Sequence, residues 1–149
     1  MDQNKEQDCE LCRVPSGDLL WQDGSCRVIR VGGSEGGAFP GFCRVVWNRH
    51  VKEMSDLSGA EQRHLLNVLL ATETAVRAVA QPDKINLASF GNMVPHLHWH
   101  VIPRWRDDSH FPGAIWATPQ RPVPSRPVVD STALQRELQQ ALAELHSGG

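Results

Sequence analysis

His96, His98 and His100 fall at every second position of the stretch PHLHWHVIPRW, residues 95–105. Side chains alternate faces along an extended strand. The three imidazoles would therefore stand in one row about 7 Å apart, while Leu97, Trp99 and Val101 face the other way. Such a row can do two kinds of chemistry. Its nitrogens can hold a catalytic zinc that keeps a fourth position open for water. Alternatively, the central imidazole can attack phosphorus itself, since histidine is largely unprotonated near neutral pH, with its neighbours holding phosphoryl oxygens or protonating the leaving group. Spacing alone leaves both open. The chain has only seven histidines, and three in alternate slots argue against an incidental polar face.

Cys9 and Cys12, in CELC, have the C-x-x-C spacing that suits two thiolates on a tetrahedral zinc or a redox dithiol. A redox pair would open a helix in a thioredoxin-like βαβ unit, and no such pattern follows. Zinc would need two further ligands. Cys26 and Cys43 lie in apolar runs and read as buried free thiols. His64 and His146 carry no assigned role, and Arg104 and Arg106 read as solvated charges although they follow the histidines closely.

Several elements must position these groups. The segments 18–22 and 25–31 flank the Asp23-Gly24 turn signal and predict a hairpin. A glycine-rich loop is expected over 32–41, followed by a buried strand over 42–49. Ser58 and Glu61 form a capping box for a long helix whose apolar residues at 65, 66, 69, 70, 76 and 79 make a stripe, and Pro82 follows its end. Residues 84–90 and 95–102 predict two more strands joined at Gly91-Asn92. After them, prolines from 118 to 127 suggest an extended strap, and Leu134, Leu138, Leu142 and Leu145 mark a terminal amphipathic helix. The result is an α+β fold: an antiparallel sheet of about five strands packed on one long helix, plus a C-terminal helix. The chain divides into 1–117 as the domain proper and 118–149 as strap and helix. Open sheet edges favour a homodimer.

The bulk composition narrows the partners. At 149 residues the chain can bury a core of its own. Fifteen basic against 17 acidic residues give a formal net charge of −2, so no DNA, RNA or anionic membrane partner is called for. The N-terminal MDQNKEQDCE lacks the pattern of a secretory signal, and no run of about 18 apolar residues occurs, so a cytoplasmic protein is expected.

The segment HLHWHVI (96–102) resembles the signature of the histidine triad (HIT) superfamily, and PRW continues as in many bacterial members. The likeness extends back through NRHVKEMSDL (48–57) and the PG at 40–41 to the first strand pair. The resemblance implies a HIT-like fold and a nucleotide hydrolase or transferase acting at an α-phosphate, of a dinucleoside polyphosphate or a nucleoside phosphoramidate. By position it implies that His98 is the nucleophile, forming a transient nucleotidyl-histidine, and that His100 contacts the phosphate and leaving group. His98 would then need a backbone carbonyl on its other nitrogen. The resemblance further places Asn92 and Asn86 as polar substrate contacts, and implies a structural zinc held by Cys9, Cys12, His50 and His96. No organic cofactor is implied. The pattern departs at Arg30-Val31, where a ribose-binding acid is expected, at Met93, and at Phe42, where histidine is common. Two rival functions stand beside it: a metal-dependent hydrolase using all three histidines as ligands, and a non-catalytic nucleotide-binding protein.

Overall fold

A computed structural model describes residues 9–13 and 17–147, with the side chains of His146 and Ser147 outside the described set. Five strands, β1 (Asp18–Gln22), β2 (Cys26–Arg30), β3 (Cys43–Trp47), β4 (Lys84–Ala88) and β5 (His98–Arg104), make one antiparallel sheet in the order β1-β2-β3-β5-β4. Helices α1 (Gly33–Ala38), α2 (Gly59–Ala80) and α3 (Ser131–Ser147) complete it, with a 3-10 turn at Met54–Asp56. This is the α+β architecture expected. The Asp23 turn forms as predicted, its Oδ1 accepting from the N–H groups of Ser25 and Cys26 at 2.8 and 2.9 Å.

Strand alternation divides the molecule. Val28, Val45, Trp47 and Val101 face α2, where Leu65, Val68, Leu69 and Val76 meet them in the main core. Each aliphatic side chain fully buried there contributes about 2 kcal/mol. The capping box at the head of α2 is present, with the Glu61 N–H on Ser58 Oγ at 3.2 Å and the Ser58 N–H on Glu61 Oε1 at 2.8 Å. At its far end Gln81 takes a left-handed conformation, φ 49°, and stops the helix before Pro82. Leu66 and Leu70, expected in the buried stripe, are exposed. The stripe keeps Leu65, Leu69 and Val76 but extends through Val68, Ala71, Thr72 and Ala75, because the helix packs on the C-terminal helix as well as on the sheet.

Helix α3 does not sit apart from the domain. Leu134, Leu138 and Leu142 join the same core, packed on α2 and β1. Arg30 ties its start to the sheet by donating to the Val129 carbonyl at 2.6 Å and Ser131 Oγ at 2.7 Å. The segment 118–130 has neither helix nor strand.

The glycine-rich segment differs from expectation by folding into the short α1. Glycine is a poor helix former, but the chain on either side is anchored. Phe39 and Phe42 are buried with Ile102 and Ile115 on the sheet face opposite α2. A Cβ on Gly36 would lie 2.1 Å from the Val31 carbonyl oxygen, so α1 closes this tightly on β2 only because that residue is glycine.

Candidate active site and metal centre

The functional side chains lie on the sheet face opposite α2. In β3, Arg44 and Val46 point there; in β5, His98, His100, Ile102 and Arg104 do. His96 is not part of the strand. Its N–H bonds the Val94 carbonyl at 2.8 Å and the next N–H bonds Val51, so the chain curves into β5 and regular pairing begins at His98. The predicted three-histidine row is thus two residues on a strand and one on the approach to it.

That curve turns His96 toward the N-terminal cysteines. Its Nδ1 lies 3.5 Å from Cys9 Sγ, 3.4 Å from Cys12 Sγ and 3.1 Å from His50 Nδ1, and the Cys12 and His50 atoms are 3.2 Å apart. Bond lengths of about 2.3 Å to sulfur and 2.0 Å to nitrogen give a tetrahedral zinc ligand edges of about 3.3–3.8 Å. The four donors therefore already stand at close to the separations of a closed Cys₂His₂ site. The tautomer agrees: His96 Nε2–H donates to the Trp47 carbonyl at 2.5 Å, so the Nδ1 lone pair faces the thiols. Burial holds the His96 pKa below its usual value, which keeps the ring in the neutral form that metals require. The residues fit the ion.

His98 is fixed differently. Its Nδ1 lies 2.6 Å from the carbonyl oxygen of His96. A carbonyl can only accept, so Nδ1 carries the proton and Nε2 keeps a free lone pair. Burial, and then the charge of Arg44, lower the His98 pKa, with the carbonyl opposing them. The strand backbone is pinned in turn by Ser89 Oγ, which donates to the His98 carbonyl at 2.9 Å.

His100, 4% exposed, stands edge-on to His98 with ring centroids 4.8 Å apart. Its Nδ1 accepts from Arg44 Nε at 3.4 Å. The proton of the neutral ring is then on Nε2, and that atom is buried without a hydrogen-bond partner. Burial, His98 and Arg44, in that order, push its pKa down to about 4 against the opposing pull of the nearby Phe90 backbone, so the ring is neutral at ordinary pH.

Two clefts meet at His98. One, of about 260 Å³, is lined by Arg44, Glu35, Phe90, His100 and Trp116 among others. The second, of about 160 Å³, is lined by Asn92, Ser89, Lys52 and Gly91. Of the asparagines expected to touch substrate, Asn92 lies there. Asn86 lines neither cleft: its Oδ1 accepts from Arg104 at 2.7 Å. Arg104 is not a solvated charge but is 2% exposed, paired with the fully buried Asp108 at 2.9 Å. Arg30, at the position where a ribose-binding acid was expected, points to the opposite face. Phe42 is buried edge-on to His100.

Residues to which sequence reasoning gave no part in the site complete the first cleft. Phe90 and Trp116 stack at 5.0 Å, and Trp116 meets His100 edge-on at 5.1 Å. Arg44 reaches Glu35 of α1 at 3.6 Å. The signal for Arg44 was present as a lone charge inside the apolar run FCRVVW. Cys26 and Cys43 are buried free thiols, and burial raises the pKa of both, that of Cys43 to about 12. His64 is taken up by Asp23 at 2.7 Å, beside Cys26.

The sequence profile of the HIT domain matches residues 22–107, more than half of the chain, spanning β2 to β5 with α2. The chain belongs to the HIT family. Crystal structures of histidine triad proteins align over most of its length: one from Marinobacter aquaeolei VT8 at 27% identity and TM-score 0.63, covering 86% of this chain and 91% of that one. Another, from Bradyrhizobium japonicum, gives 25% identity and TM-score 0.60, with 85% and 90% covered. A zinc-bound histidine triad family protein from Mycobacterium smegmatis shares the fold at 21% identity and TM-score 0.60, with 97% and 99% covered. Among curated proteins, AP-4-A phosphorylase of Mycobacterium tuberculosis is 32% identical over 78 residues, 48% of this HIT chain but only 40% of that protein's length. No helix among the described residues of this HIT protein is long and apolar enough to cross a membrane.

Proposed function

We propose that this HIT protein is a nucleotide hydrolase or transferase that cleaves at an α-phosphate through a covalent nucleotidyl intermediate on His98. The hydrogen bond from His98 Nδ1 to the His96 carbonyl carries this reading, because it leaves Nε2 as the free nucleophilic nitrogen. In the first step the Nε2 lone pair forms a bond to phosphorus, and the bond from phosphorus to the leaving group breaks with its electron pair departing. The ring becomes a cationic phosphorylated imidazole, and the carbonyl on Nδ1–H stabilises that charge. Water then attacks phosphorus and gives up a proton to solvent, the N–P bond returns its pair to Nε2, and the neutral ring is restored. His100 offers its Nε2–H to a phosphoryl oxygen or the leaving group. Asn92 holds a second phosphoryl oxygen from the other cleft, while Asn86 supports the site one step back, through Arg104.

Zinc at Cys9, Cys12, His50 and His96 supplies structural cross-linking, fastening the N-terminal segment to the approach to β5. The rival in which His96, His98 and His100 share a catalytic metal finds little support in the geometry. His96 has no nitrogen left for a metal shared with His98 and His100: its Nδ1 faces the cysteines and its Nε2–H is on the Trp47 carbonyl. The substrate class rests on the name of the M. tuberculosis relative and on the resemblance of the triad segment: a dinucleoside polyphosphate or a nucleoside phosphoramidate. We expect a homodimer in the cytoplasm, formed along an open sheet edge, which sedimentation at varied concentration would check.

Replacing His98 by alanine tests the mechanism. Turnover of diadenosine tetraphosphate should vanish while zinc content and melting temperature persist. Brief exposure of the wild type to substrate should add the mass of a nucleotidyl group to the peptide carrying His98. Full turnover in the variant would sink the mechanism, and no added mass under conditions of turnover would favour direct attack by water.

A further inference from the structure

The leaving group is left undetermined by the nucleophile, yet its two classes differ in charge. A polyphosphate departs as an anion that needs positive charge near its bridging oxygen. An amine released from a phosphoramidate must gain a proton and is repelled by a fixed cation. The cleft that contains His100 carries one permanent cation among its described lining residues, Arg44, beside two carboxylates, Glu10 and Glu35. Register fixes its place: Arg44 pairs directly across from His100 in the β3–β5 ladder. Its Nε–H is spent on His100 and, among the described residues, its NH2 reaches Glu35 at 3.6 Å, with both side chains partly exposed and the guanidinium 5.7 Å from the Phe42 ring centroid. Next to it lies the buried, unpartnered Nε2–H of His100. Arg44 and His100 thus line the same cleft as the nucleophile His98. Lys52 and Glu53 line the opposite cleft, with Asn92.

We propose that Arg44 selects the leaving group by charge, receiving the departing polyphosphate of a dinucleoside polyphosphate while Glu35 occupies the guanidinium until that polyphosphate displaces it. The inference rests on the His98 reading above and adds the substrate class to it. In the step itself the His98 Nε2–P bond forms and the bridging P–O bond breaks. The electron pair stays on the oxygen, which leaves as the terminal oxyanion of a nucleoside polyphosphate beside Arg44, and no proton has to be delivered to it. Glu35 is presented by α1, which closes at Gly36 on the Val31 carbonyl just after β2.

The test compares kcat/KM for diadenosine tetraphosphate with kcat/KM for an adenosine phosphoramidate of a small amine, in the zinc-loaded wild type, Arg44→Leu, Arg44→Lys and Glu35→Gln. Loss of a charge-assisted contact made to one substrate alone should lower the polyphosphate-to-phosphoramidate ratio about 10- to 100-fold in Arg44→Leu. Arg44→Lys should restore part of the ratio, and Glu35→Gln, which frees the guanidinium, should raise it above wild type. A ratio unchanged within about twofold in Arg44→Leu, with both rates falling together, would mean that Arg44 only orients His100 and would overturn the proposal. If Arg44→Leu fails to fold, Glu35→Gln decides: an unchanged ratio there overturns the competition between Glu35 and substrate. The underlying reading fails separately, and visibly, if the wild type turns over neither substrate or if His98→Ala matches it.

Discussion

Replacing Asp108 by asparagine removes one charge from the most enclosed ion pair in the protein. Five donors converge on its two carboxylate oxygens: Arg104 Nε at 2.9 Å and NH2 at 3.1 Å, and the N–H groups of Trp105, His110 and Phe111 at 3.0, 3.0 and 2.7 Å. Asparagine offers one acceptor oxygen, turns an NH₂ group toward some of these donors, and strands the Arg104 charge. Breaking such a buried pair costs about 3–5 kcal/mol. Arg104 keeps Asn86 and the Gly113 carbonyl as partners, so the low end, about 3 kcal/mol, applies. For a chain of this size each kcal/mol moves the melting temperature by about 3 °C, giving a drop of about 10 °C by calorimetry at neutral pH. Burial works against the Asp108 anion, but Arg104 and the three backbone donors outweigh it, so its folded pKa lies below the ordinary 3.8. Its contribution is therefore full well above that value and is lost as pH falls toward the lower folded value, so the gap between wild type and Asp108→Asn should close below about pH 4. A drop of less than about 3 °C at neutral pH, or a gap constant down to pH 3, would refute the reasoning.

Two further outcomes follow from the two faces of the sheet. Chelating zinc from the Cys₂His₂ cluster should lower the melting temperature by 10 °C or more, with activity lost in step with unfolding rather than before it; early loss at intact fold would point to a catalytic metal. Leu134→Ala, in the interface of α3 with α2 and β1, should cost about 2–5 kcal/mol in urea denaturation yet leave kcat/KM per folded molecule within twofold, because it lies across the sheet from His98. A tenfold fall in kcat/KM would show that the two faces are coupled.

The sequence carried most of the architecture, because the signals that define it are local. The Asp23 turn, the Ser58–Glu61 box and the alternation in β3 act over a few residues, and all appear in the structure. The Cys9, Cys12, His50 and His96 set came from the family resemblance, and its donors do converge. What was missed depends on tertiary pairing. Arg44 enters the site only because β3 lies beside β5 in a register that sets it across from His100, which no spacing within FCRVVW reveals. Glu35 arrives because a segment with poor helix propensity is forced into α1 by the aromatic anchors that follow it. The stripe on α2 was misjudged at Leu66 and Leu70 because apolar identity does not say which flank of a helix meets a sheet. His96 was placed on the strand because alternation continued through it, whereas Pro95 and the bond to Val94 bend the chain there.

The division of the sheet by residue parity also forecasts how sequence change should sort. In β3, substitutions at 43, 45 and 47 fall among the packed side chains shared with α2, while Arg44 lines a cleft and Val46 packs under the N-terminal segment; in β5, His98 and His100 face the chemistry and Trp99 and Val101 the core. A saturation scan read separately for abundance and for turnover should therefore alternate along these strands, neighbouring residues failing in opposite assays. His96 is the place where that rule should break. It lies off the strand, belongs to the metal cluster through its ring and to the nucleophile through its carbonyl, and a substitution there should register in both readouts at once.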